Sequence, residues 1–432
     1  MNNKVVKDAS WIIGCKIVQS ILSLFISTIS ARYLGPSNFG MISYAASLVA
    51  FVLPIMSLGL ENILVQETIQ HPEQEGEIYG TSLILSCVSS LACMVGVISF
   101  VCIINAEEKE TITVCALYSF VLLAQALELM RYWFQAKYLS KYVSIISLCA
   151  YAIVSGYKVF LLVTGKNVCW FAVSNAIDFF IISFSLIFCY RKLDGQSLKF
   201  SMDCAKRMLL KSRYYIIPSM MVTIFAETDK IMLKLMLDTS ATGLYSIAVT
   251  CASLTSFVFV AIIDSMRPAI FESQKLSTES FEKNLSRLYT IVIYLSLLQS
   301  VFMTLLAKPI IYILYGNAYM PATGVLQIIV WYTTFAYLGA IRNIWILANG
   351  EQRHLWKINL SGAIGNIVLN SILIPLWGMH GAAVASLATQ IFTNVVLGWI
   401  IKPIRRNNVI MLRSLNPNGL VAEVKKYLKR ID

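Results

Sequence analysis

The sequence predicts an all-α polytopic membrane protein of about twelve transmembrane helices, built as two six-helix bundles around a central cleft. Three observations predict it. Apolar runs of spanning length recur along the chain, and a spanning helix needs roughly 20 mostly apolar residues because its backbone groups must bond within the helix. Of 432 residues, 57% are hydrophobic and 13% charged, with a mean hydropathy of +0.70. The polar joints between the runs are short, and their positive charge alternates from one to the next.

The first span is read at 10–32. Lys4 and Lys7 precede an apolar run from Trp11 to Ala31, and Arg32 follows it. The run exceeds the ~7–15 residues of a signal-peptide core, so it reads as an uncleaved helix that also targets the chain. Spans two and three, 40–62 and 80–104, flank an acidic joint at 66–79 with Glu67, Glu73, Glu75 and Glu77. A solvated charge run is the expected reading of that joint, with a surface helix or a gate as the alternative. Spans four, five and six follow at 112–134, 143–164 and 168–190, the last two split at Thr164-Gly165-Lys166-Asn167.

The stretch 191–213 carries seven positive residues and divides the chain into halves of six spans. Spans seven to twelve are read at 214–237, 243–266, 287–314, 323–347, 357–376 and 380–401. Pro375 is expected to end the eleventh, and the glycines that follow permit a tight turn. The tail 402–432 finishes in a basic amphipathic stretch at 421–430 suited to an anionic leaflet. The domain organisation is therefore 1–190, a basic linker 191–213, 214–401 and a basic tail 402–432. Linker and tail both read as topology determinants.

The net charge of +12 points to no nucleic acid, because its distribution follows the membrane. With the N-terminus inside, the outer joints and the outer ends of the spans beside them hold only Arg32, Lys109, Lys166 and Lys308 of the 35 Lys and Arg. Five more, Lys16, Lys158, Lys230, Lys234 and Arg342, lie deeper within spans, and the rest are in inner joints and tails or at the inner ends of spans. That asymmetry obeys the positive-inside rule and places both termini in the cytoplasm.

The halves share a pattern. Residues 34–45 and 237–248 both read L-x-x-S-x-x-G-x-x-S-x-A, at an offset of 203. Both follow the first helix of their half. Six helices separate equivalent points, so the repeats are parallel, related by an axis along the membrane normal.

Ionisable residues inside spans are costly and face a cavity or a partner. Lys16, Arg342 and Glu61 sit near inner ends, and Lys158 and Lys234 near outer ends, where long side chains can snorkel. Asp178 is near the middle of span six, and Glu227, Asp229 and Lys230 near the middle of span seven. Glu227 and Lys230, at i and i+3, can pair on one helix face; Asp229 projects elsewhere. In the functional reading, basic groups attract an anionic head group while an acid takes up H+ or Na+.

Enzymatic chemistry is not indicated. The sequence has no G-x-x-x-x-G-K-[ST], no H-E-x-x-H and no G-x-S-x-G. His71, His354 and His380 are scattered through joints. The ten cysteines form no C-x-x-C and fall mostly inside spans, so neither disulfides nor a metal site is expected, and no cofactor.

Three stretches carry a family resemblance. Residues 31–40 read Ala-Arg-Tyr-Leu-Gly-Pro-Ser-Asn-Phe-Gly, followed by Leu58-Gly59-Leu60-Glu61. Asp229-Lys230 precedes Gly243-Leu244-Tyr245-Ser246. The third comprises Ala348-Asn349-Gly350, Asn366 to Asn370, Ile374-Pro375 and Gly378-Met379-His380-Gly381-Ala382-Ala383. Over residues of about 8–400 the chain resembles the Wzx-type polysaccharide flippases of the MOP transporter superfamily. The resemblance implies a carrier of undecaprenyl-pyrophosphate-linked oligosaccharide in the bacterial cytoplasmic membrane, feeding O-antigen, capsule or exopolysaccharide synthesis. It implies a cationic cavity, with Lys16, Lys230 and Arg342 as candidate lining; Asp229, Glu227, Asp178 and Glu61 are the ion-coupling candidates by their place in the spans. Its partners would be the lipid-linked oligosaccharide, H+ or Na+, membrane lipids, a polymerase and a chain-length regulator. The alternatives are a MATE-like exporter, a teichoic acid or peptidoglycan precursor transporter, and a multispan polymerase.

Overall fold

The computed structural model describes residues 3–416; the stretch 421–430 lies outside the described residues. Every regular element among them is helical. The chain forms two compact units, Met1–Ile231 and Met232–Asp432, divided within a single helix.

Unit one begins with α1 (Asn3–Met56), 54 residues long. At 1.5 Å per residue that is about 80 Å, more than twice the thickness of a hydrocarbon core. It is two spans meeting at Gly35, whose φ of 73° breaks the helix and favours glycine. Pro36 follows directly, where a missing N–H does no harm in a first turn. The predicted first joint thus shrinks to a one-residue break. The chain leaves α1 at Met56, earlier than predicted, and reverses through Leu58 and Gly59, both at positive φ. A 3-10 turn (Leu60–Asn62), α2 (Leu64–Gln70) and a second 3-10 turn (Pro72–Gln74) lead into α3 (Glu75–Ile104).

The fourth span comes in two pieces, α4 (Lys109–Glu128) and α5 (Arg131–Ala136). Next are α6 (Ser140–Val163) and α7 (Val168–Lys192), separated at the predicted Thr164–Asn167 split. One apolar cluster gathers Leu34, Tyr44, Val101, Val114 and Phe171. Another gathers Leu60, Leu64, Tyr79, Phe134 and Met208.

The basic linker is more than a topology signal. Lys199 N–H donates to Gly76 O at 3.1 Å, and Gly76 N–H to Gln196 Oε1 at 3.0 Å. Ser201 N–H donates to Thr81 Oγ1 at 3.0 Å. Residues 196–201 therefore strap the start of α3. The approach requires glycine: a Cβ on Gly76 would stand 2.3 Å from Ser197 O, and one on Gly80 2.4 Å from Lys199 O. Helix α8 (Met202–Met236) follows the strap, beginning well before the predicted 214 and containing Pro218.

Unit two holds α9 (Thr239–Ser253) and α10 (Ser256–Leu276), which meet at a bend of 44°. Asp238 caps α9, its Oδ1 accepting from Ala241 N–H at 2.7 Å. Then come α11 (Thr278–Tyr315), α12 (Ala322–Ala348) and α13 (Leu355–Ile391). Pro375 stays inside the α13 run; the break falls at Gly378, with φ 57° and ψ −137°. Proline kinks a helix by removing one hydrogen bond, but only glycine reaches this region of backbone space freely. A π-helical turn (Phe392–Val396), α14 (Leu397–Ile400), a 3-10 turn (Lys402–Ile404) and α15 (Arg405–Arg413) complete the described chain. Phe259, Ile341, Tyr289, Trp345 and Met411 belong to its core.

Eight helical runs among the described residues are long and apolar enough to cross a bilayer, and the bent pair makes nine. Two of them, of 43 and 49 residues, each hold two helices meeting at a left-handed glycine. Charge-rich α8, where the seventh span is expected, is 35 residues long and is not among these runs. The repeat segments occupy matching joints, one across the Gly35 break and the other across the Asp238 cap.

Candidate functional site: buried charge in the membrane-spanning units

Several polar clusters lie inside unit one. The predicted pair on α8 is formed: Lys230 Nζ donates to Glu227 Oε2 at 2.9 Å. The same oxygen accepts from Ser47 Oγ on α1 at 2.7 Å. Ser47 is fully buried and no signal in the sequence singled it out. Asp229 beside them is also buried, at 5% exposed.

The second cluster joins α6 and α7. Lys158 Nζ donates to Asn175 Oδ1 at 3.2 Å, in place of the snorkelling expected of it. Asp178, one turn further along α7, has a buried Oδ1 with no hydrogen bond. A cavity of about 230 Å³ opens beside Lys158, with hydroxyls from α1 in its wall.

The third cluster is at the other end of α1. Glu61, predicted within span two, sits in the 3-10 turn Leu60–Asn62 and accepts from Tyr132 OH at 3.5 Å. It lines a smaller cavity of about 110 Å³ with Gln125, Glu128 and Arg131. Arg131 Nη1 pairs with Glu128 at 2.9 Å.

The acidic joint is a solvated charge run only in part, at exposed Glu73. Glu67 on α2 is 1% exposed and Glu75 at the start of α3 is 4% exposed. Lys211 Nζ reaches Glu67 Oε1 at 2.5 Å, and Arg207 Nε stands 3.4 Å from Oε2. Arg207 also donates to Gln74 Oε1 at 3.0 Å. Glu75 pairs with Lys137 and accepts from Trp133 Nε1 at 3.0 Å. A carboxylate removed from water needs such partners, and the basic linker supplies them to Glu67. The available clue was that an acidic and a basic joint share one side of the bilayer.

Further intramembrane cations remain. Lys16 on α1 is exposed. Arg342 on α12, in unit two, is 4% exposed and does not snorkel. Its Nη1 donates to Thr393 O at 2.7 Å and Asn394 Oδ1 at 2.8 Å, and its Nη2 to Asn343 Oδ1 at 3.0 Å. Thr393 lies in the π-helical turn, whose altered ladder leaves carbonyls for other donors. Asn408 uses a second one, donating to Val395 O at 2.7 Å. Lys234, expected to snorkel, is 6% exposed.

A family model described as "Polysaccharide biosynthesis protein" matches residues 5–274. The chain belongs to that family. Its structure is similar to a solved lipid II flippase MurJ in an inward closed conformation, with a TM-score of 0.71, 15% identity, and coverage of 94% of this chain and 90% of that one. An inward-facing multidrug resistance MATE family transporter of the MOP superfamily gives a TM-score of 0.66 at 12% identity, covering 90% and 96%. A eukaryotic MATE transporter gives 0.59 at 15% identity, covering 95% and 99%. No curated protein matches in sequence. The fold is that of the MOP transporters, and the chain is a multi-pass membrane protein.

Proposed function

We propose that this protein is a flippase that moves undecaprenyl-pyrophosphate-linked oligosaccharide repeat units across the bacterial cytoplasmic membrane, for O-antigen, capsule or exopolysaccharide synthesis. The observation that carries this reading is the family match over residues 5–274 on a chain with a MOP transporter fold. Membership accounts for the polysaccharide, and the fold for movement across a bilayer. Charge within the spans fits an anionic cargo: Lys230, Lys16 and Arg342 are proposed to meet it. Asp229, Glu227, Asp178 and Glu61 are the proposed ion-coupling acids, for H+ or Na+. The chain would work as halves 1–190 and 214–401 joined by the linker 191–213, with the tail 402–432 and both termini cytoplasmic.

The test is depletion of the protein, followed by assay of the lipid-linked oligosaccharide pool with a membrane-impermeant glycosidase. The expected result is a repeat unit that accumulates in a protected, inner-leaflet form. An unchanged pool, or one accessible from outside, would overturn the reading.

A further inference from the structure

The cavity beside Lys158 has a chemistry of its own. It lies wholly within unit one, where the end of α1 before Gly35, the second half of α6 and the start of α7 converge. Ser23, Ser27 and Ser30 line it from α1, Tyr151 and Lys158 from α6, and Asn175 from α7. The wall thus combines hydroxyls and an amide with one ammonium group. Such a wall offers donors and acceptors in several directions, as a polyol requires. Phe39 and Phe171 also line the space and present apolar surface to the C–H faces of a ring. The volume of about 230 Å³ suits one sugar residue.

One detail points to an occupant. Lys158 spends one of its three donors on Asn175 Oδ1. Among the described residues no carboxylate stands within ion-pair distance of it; Asp178, on the next turn of α7, is not in the wall. The Asp178 charge acts on the ammonium from the next turn without a direct ion pair, and the remaining donors of Lys158 face an anion in low dielectric, where the attraction is strong.

We propose that this cavity is a subsite for one sugar residue bearing an anionic substituent, held by Lys158 through its charge and by the serines, Tyr151 and Asn175 through its hydroxyls. This rests on the flippase reading and narrows its cargo to glycans that carry an acidic unit. A sugar carboxylate and a phosphate share the anionic chemistry, so the experiment separates them.

Full-length protein in nanodiscs of phosphatidylcholine is titrated with glucuronate, glucose and inorganic phosphate, with binding read by saturation-transfer NMR. Glucuronate is expected to bind at least about tenfold more tightly than either glucose or phosphate, one charge-assisted hydrogen bond being worth about that factor. Lys158→Met with Asp178→Asn, which removes both charges together, should abolish the preference, and Lys158→Arg should keep it. Ser27→Ala should weaken both sugars alike. Equal binding of glucuronate and glucose, no binding of either, or a preference that survives Lys158→Met/Asp178→Asn would overturn the subsite. Phosphate binding as tightly as glucuronate would overturn the sugar assignment. Failure here alongside a protected inner-leaflet pool on depletion sinks the subsite alone, whereas glucuronate binding alongside an undisturbed pool sinks the flippase reading.

Discussion

Replacing Glu67 by alanine is the sharpest test of how the linker is held. The Glu67 side chain is 2% exposed, against 46% for Lys211 and 32% for Arg207. Removing one partner of a buried ion pair typically costs about 3–5 kcal/mol because the other charge is stranded. Here the stranded groups are the half-exposed cations, which water can reach, so the expected loss falls to about 2–3 kcal/mol. Lys211→Met should cost less, about 1–2 kcal/mol, since Arg207 still faces the carboxylate. The pair is read by thermal unfolding of purified protein in detergent, across the single and double variants. A coupling of about 1–2 kcal/mol between Glu67→Ala and Lys211→Met is expected for groups in direct contact. Additivity within about 0.5 kcal/mol would mean that the clasp contributes nothing, and would refute the argument that the linker is what permits an acid to be buried there.

Other consequences follow from named contacts. Gly76→Ala should lower thermal stability by about 2 kcal/mol or more, because the new Cβ meets the Ser197 carbonyl at 2.3 Å; an unchanged melting temperature would show that the strap does not hold α3 this closely. Arg342→Ala should destabilise by about 2–4 kcal/mol through loss of donors to Thr393 O and Asn394 Oδ1, while Arg342→Lys recovers only part, having no planar fork; full recovery by lysine in the same melting assay would count against the bracket. Asp229→Asn and Lys230→Ala should each reduce surface polysaccharide while the protein still inserts at normal levels, measured by glycan staining and membrane immunoblotting. Normal polysaccharide in both variants would remove that cluster from transport.

Much of the candidate site was visible along single helices. The Glu227–Lys230 pair follows from i,i+3 spacing alone, and it forms. Asp178 was marked by its depth in span six and proves to carry a buried oxygen without a hydrogen bond. The partners were not visible. Ser47 meets Glu227 from 180 residues away, and Lys211 meets Glu67 from 144. A serine in an apolar run or a lysine in a basic joint looks like many others until the backbone brings it to its acid. Snorkelling was expected of Arg342 by the same local reasoning, which could not foresee that a π-helical turn would present carbonyls to it.

By itself the amino-acid sequence determined that this chain is helical, membrane-embedded and repeated in two halves. Those properties depend on hydropathy over about twenty residues, on the pattern of joints and on glycines where the backbone must turn. Only the tertiary structure decided which charges are buried, which partner each one has and where a cavity remains. Those outcomes depend on the packing of helices far apart in the chain, and a desolvated charge is tolerated only where that packing delivers a hydrogen bond or a counter-ion.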